Sequence, residues 1–147
     1  MWNHLRNVLL CFAGILVGGA LNGGIVNLGG QIFPLPGGGD SLEGLVAAAP
    51  FMKPEHFLFP WLAHALGTGV AAFAIVHWVR ATKPFYWGLS AGVVFLAGGI
   101  WMASMVPAPG WFLVADLGFA YLPMAWLGAR WGVHRRGRTL KANGLGE

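Results

Sequence analysis

FLFPWLAHALGTGVAAFAIVHWV, Phe57 to Val79, is an apolar run long enough to cross a bilayer, with an imidazole, His64, and a hydroxyl, Thr68, set inside it. A span needs about 20 apolar residues, because that is the length of helix that bridges the hydrocarbon core. The run therefore reads as a transmembrane helix. His64 and Thr68 are four residues apart, which puts them on one helical face.

The rest of the chain agrees with that solvent. Its 147 residues are 56% hydrophobic and 10% charged, with a mean hydropathy of +0.64. A soluble domain would be about a quarter charged. The length allows roughly four crossings with short connections and no separate soluble module. The expected fold is an all-α integral membrane protein: a compact bundle of four transmembrane helices over about 8–33, 57–79, 86–106 and 111–131. Together they form one domain, 1–133, followed by a basic tail, 134–147, expected to be partly disordered.

Upstream of the central run, residues 8–33 read VLLCFAGILVGGALNGGIVNLGGQIF. The charged start resembles a signal peptide, but apolar character continues without a cleavage site, so an uncleaved first span is expected. At 1.5 Å per residue it would reach about 39 Å, more than the hydrocarbon thickness, so it must tilt, bend or emerge. Gly23-Gly24 and Gly29-Gly30 are the expected places. Gly14/Gly18 and Gly19/Gly23 repeat the small-xxx-small spacing of close helix packing. Cys11 is the single cysteine, which rules out an intrachain disulfide and reads as a small buried hydrophobe.

Between the first two spans lies PLPGGGDSLEGLVAAAPFMKPE, residues 34–55. PLPGGG is a breaker cluster. Asp40 with Glu43 approximates a capping box, and Leu42, Leu45, Val46 and Ala49 form one apolar stripe before Pro50. A short amphipathic helix on the membrane surface or over the bundle mouth is expected. Downstream, Pro60 should loosen the first turns of its span, Pro84 stops that helix, PAPG (107–110) is a tight turn, and the fourth span contains Asp116, Tyr121 and Pro123.

Charge sets the expected orientation. Eight of the nine Lys and Arg residues lie before the first span, in the Arg80/Lys83 turn, or at the C-terminal end. By the positive-inside rule both termini face the cytoplasm, in a multi-pass, bacterial-type inner membrane. The basic balance is thus topological, and nucleic acid is not an expected partner; membrane lipids are.

An ionisable group in a span is costly and is a functional candidate by default. Asn27, Gln31, His56, His64, Ser104 and Asp116 all fall in the outer half of the expected bundle, and Thr68 and Tyr121 complete the candidate ligand-binding set with Asn27, Gln31, His64, Ser104 and Asp116. Asn27 and Asp116 would lie about 8 to 9 Å deep and His64 somewhat deeper. A polar pocket beneath the long connection is expected, with His64 and Asp116 as its ionisable members; Asn27 and Gln31 would stand beside the room left by Gly23 and Gly24.

Three functions compete. A small polar or amphipathic ligand could bind or be transported from the outer side, with His64 and Asp116 as a proton-sensitive pair, since histidine changes charge near neutral pH. The chain could instead be an accessory subunit of a larger membrane complex, or a homo-oligomer. It could also be an intramembrane enzyme using His64 as a base on a lipid or quinone-like substrate, although no nucleophile motif is present. His56, His64, Asp116 and Met105 offer donors suited to copper, but His-x7-His is not a close-ligand spacing, so no metal or cofactor is expected.

Overall fold

The computed structural model describes residues 2–38 and 41–142, and among them every regular element is helical: α1 (Trp2–Ile32), α2 (Leu42–Ala48) with a 3₁₀ turn (Ala49–Phe51), α3 (Glu55–Trp78), α4 (Pro84–Met105), α5 (Gly110–Ala115), a π-helical turn (Asp116–Ala120) and α6 (Leu122–Ala142). Four helices are long and apolar enough to cross a membrane: α1, α3, α4 and the run Gly110–Thr139.

Helix α3 packs against α1, α4 and α6. Its central residues are small: Ala63, Ala71 and Ala72 are buried, as are Gly67 and Gly69. Small residues let backbones approach closely, which replaces the hydrophobic driving force that lipid removes. Gly14 and Gly18 of α1 face Ile75 and Ala71 of α3, and Gly29 faces Phe59, so α1 and α3 run antiparallel. Gly88 and Gly92 of α4 face Ala129 and Ala125 of α6, again antiparallel. Gly128 of α6 meets the Gly69 backbone and Gly132 meets Val76, which makes α3 and α6 parallel, as the second and fourth legs of an up-and-down bundle must be. The faces of α1 and α4 that carry Leu9, Phe12, Leu16, Val93 and Ile100 stay exposed, as lipid-facing surfaces do.

Several local expectations need correction. Helix α1 runs through Gly23-Gly24 and Gly29-Gly30 without a break in its helical run. Ser41, not Asp40, caps α2, its Oγ accepting from the Gly44 N–H at 3.1 Å; Asp40 lies outside the described residues. Within α2 the residue buried against the rest of the fold is Ala48, while Leu42 and Val46 of the expected stripe are exposed. Helix α6 continues to Ala142, well beyond the expected end at Trp131. Cys11 is only half-buried, its Sγ 3.0 Å from Ser90 Oγ.

The end of the bundle where α3 finishes is fastened by polar contacts. Asn7 Oδ1 accepts from the Arg80 N–H at 3.0 Å. Arg136 Nη1 donates to the carbonyls of Val76 (3.2 Å) and Val79 (2.7 Å). A basic side chain here both satisfies orphan carbonyls and complements the negative end of the helix dipole.

Candidate functional site

His64 and Asp116 meet. The imidazole Nδ1 lies 2.7 Å from Asp116 Oδ1. Tyr121 completes the cluster: its hydroxyl donates to Asp116 Oδ2 at 3.0 Å, and its oxygen is 2.9 Å from His64 Nδ1. The His64 and Tyr121 rings also stack, with centroids 5.4 Å apart. Asp116 is 4% exposed and Tyr121 1%, whereas the His64 side chain is 23% exposed.

The π-helical turn makes this convergence possible. Pro123 has no N–H for the Phe119 carbonyl, and its ring crowds that carbonyl in a regular α-helix. Widening the preceding turn, Asp116–Ala120, moves the carbonyl aside. The regular ladder resumes with Ala125 N–H donating to the Tyr121 carbonyl at 2.8 Å. Inserting one residue rotates the downstream helix by about 100°, so Asp116 and Tyr121, five apart, both reach His64. Just before the turn, the Ala115 carbonyl accepts from Trp61 Nε1 at 3.1 Å. Trp61 is one turn from His64 on α3, so two anchors tie the same pair of helices.

The partners dictate where the protons sit. With Asp116 as a carboxylate it can only accept, and the Tyr121 hydrogen is spent on Oδ2. Both groups around Nδ1 are then acceptors, so Nδ1 carries a hydrogen. Among the described residues Nε2 has no hydrogen-bond partner, and in the neutral ring it keeps a free lone pair. One turn along α3, Thr68 is fully buried and its Oγ1 also lacks a partner.

The other expected pocket members are elsewhere. Gln31 Nε2 donates to Asn27 Oδ1 at 2.7 Å, and both residues are exposed. The face of α1 turned to α3 is that of Gly14, Gly18 and Gly29; Asn27, two residues from Gly29, is rotated by about 200° from it. Ser104 is exposed and donates to the Trp101 carbonyl of its own helix at 2.6 Å. His56 is held near the Pro34 carbonyl (3.3 Å) and the Lys53 turn, and Met105 Sδ receives Trp101 Nε1 at 2.9 Å. Among the described residues no three His, Cys, Asp or Glu side chains gather as metal ligands.

Two contributors escape the sequence reading: Trp61, whose spacing of three from His64 is the available signal, and Gly99 of α4. A Cβ at Gly99 would lie 2.5 Å from Tyr121 Oη. Gly99→Ala should therefore push the hydroxyl off Asp116 and mimic Tyr121→Phe, which removes it. Loss of a hydrogen bond to a charged group costs about 1.5–3 kcal/mol. Reversible unfolding of both variants in mild detergent checks this; full wild-type stability of Gly99→Ala would mean that α4 moves aside instead.

No family model matches the chain, and comparison with curated proteins and with solved structures found no match.

Proposed function

We propose that the protein binds or transports a small amphipathic ligand from the outer side of a bacterial-type inner membrane, with the His64–Asp116–Tyr121 cluster as its polar recognition centre. The observation that carries this reading is the buried Asp116 carboxyl group committed to His64 Nδ1 and Tyr121 Oη, with His64 Nε2 unpartnered among the described residues and the His64 side chain 23% exposed. A carboxylate beside a neutral imidazole leaves one uncompensated negative charge in a medium that tolerates none. One positive charge relieves it, either a second proton on the imidazole or the cationic head of a ligand donating to Nε2. The two exclude each other, so an ammonium head displaces a proton when the imidazole is doubly protonated and none when the ring is neutral with its Nε2 lone pair free.

The orientation in this reading rests on charge: Arg6, Arg80, Lys83 and Arg136 lie at one end of the bundle, and Glu43 and Glu55 precede or begin α3 at the other. The test is calorimetric. Decylammonium is titrated into the purified protein in two buffers of different ionisation enthalpy, with decanol and decanoate as comparisons. Binding of decylammonium, with release of a proton at acid pH, lost in Asp116→Asn, is the expected result. Equal binding by Asp116→Asn, or no binding of any of the three probes, would sink it.

A second reading, as a subunit of a larger assembly, is supported by the lipid-facing side of α1. Gly19 and Gly23 have open space beside them, and the Asn27–Gln31 amide pair is exposed one turn further on. Amides in lipid commonly bond across helices. A mass above the monomer in mild detergent that collapses in Asn27→Leu/Gln31→Leu is expected on this reading; a monodisperse monomer in both proteins removes it.

A further inference from the structure

The end of the bundle remote from His64 holds a recess of about 520 Å³ lined by Arg6, Leu10, His77, Trp78, Arg80 and Arg136. Three arginines line it from three different segments: α1, the connection after α3, and α6. Like charges repel, so a fold that gathers three of them needs a counter-charge. Among the described residues the one ion pair is His64–Asp116, and no carboxylate lines the recess.

Two of the three arginines are tied to the rest of the fold. Arg136 is fixed by the Val76 and Val79 carbonyls, and the Arg80 backbone by Asn7. Arg6 Nε is buried and without a hydrogen-bond partner among the described residues, which is costly for a charged donor unless something completes it. A neighbouring recess of about 260 Å³ shares Arg80 and adds His4 and Lys83.

We infer that this recess is a binding site for a phosphate anion, with Arg6, Arg80 and Arg136 as its donors. Guanidinium forks match phosphate oxygens in pairs. Leu10 and Trp78 give the same recess an apolar flank, so the anion can be the headgroup of an anionic phospholipid as well as a free phosphate; basic pockets between membrane helices take such headgroups. The site stands apart from the His64 cluster and does not depend on how that cluster functions.

The full chain is reconstituted in nanodiscs of phosphatidylcholine alone, of phosphatidylcholine with phosphatidylglycerol, and of phosphatidylcholine with inorganic phosphate added. Thermal unfolding and lipid retention in native mass spectrometry are the readouts. Arg6→Gln and Arg80→Gln should reduce phosphatidylglycerol retention about five- to tenfold while leaving stability in phosphatidylcholine unchanged. Arg138→Gln, an exposed position outside the recess, should retain the lipid as wild type does. Stabilisation by phosphatidylglycerol and not by phosphate assigns a lipid headgroup; stabilisation by phosphate in neutral lipid assigns the free anion. No stabilisation by either, or equal losses in Arg138→Gln and Arg6→Gln, overturns the site.

Discussion

Asp116→Ala is expected to destabilise the folded protein by about 2–4 kcal/mol and to move the His64 proton from Nδ1 to Nε2. The carboxylate is the acceptor for both neighbours, and at 4% exposure no solvent replaces it. Once it is gone, the Tyr121 hydroxyl can turn its hydrogen to Nδ1, provided that Nδ1 gives up its own. One hydrogen bond is recovered, and the tautomer flips. Asp116→Asn should cost less, about 1 kcal/mol, because the amide oxygen can still accept from Nδ1–H. Nitrogen-15 spectra of histidine-labelled protein read the tautomer directly, and unfolding in detergent reads the cost. An unchanged Nδ1–H signal in Asp116→Ala would mean that Tyr121, not Asp116, sets the imidazole.

This cluster is legible in part from sequence. His64 and Asp116 stand out because ionisable groups in lipid must find partners, and that energetic argument needs no fold. Their mutual facing cannot be read, since it depends on the extra residue in the turn Asp116–Ala120. Pro123 is visible, but a proline can be absorbed by a kink, a break or a widened turn, and the sequence does not choose among them. Asn27 and Gln31 are misleading for a related reason. Gly23 and Gly24 suggest a packing face, yet nothing lies within 4 Å of the Cβ position of either, while Gly14, Gly18 and Gly29 each meet α3. Alternating glycine registers around one helix look alike until a partner selects one.

The four spans are the most readable feature, because length and hydropathy are properties of a segment by itself. The short helix after the first span is visible in its stripe and flanking breakers. Its cap falls one residue later than expected, since Asp40 and Ser41 are both good capping residues and neither spacing nor composition separates them. The continuation of α6 to Ala142 is hidden by composition: HRRGRT reads as a solvated tail. In the fold, Arg136 is anchored to the end of α3, and within the helix Arg130 and Arg135 lie over Trp126 and Trp131 one turn back, at 5.1 and 5.6 Å, so one tertiary contact and two i, i+4 pairs support a helix that composition hides.

Gly128→Leu is expected to be the most damaging single change to packing. A Cβ at Gly128 would collide with the carbonyl oxygen of Gly69, and the Gly69 α-carbon would be 3.0 Å away. These are backbone atoms, so no rotamer change relieves the clash, and α6 would have to withdraw from α3 along its whole length. Such overpacking costs about 3 kcal/mol or more, and the withdrawal would also pull Tyr121 and Asp116 from His64. Gly19→Leu is the matched control: nothing lies within 4 Å of a Cβ there, and replacing an exposed helical glycine gains up to about 1 kcal/mol of helix propensity. The pair therefore separates close contact from glycine content. Comparable stability of the two variants in mild detergent would mean that the α3–α6 approach at Gly69 and Gly128 is not what holds the bundle together.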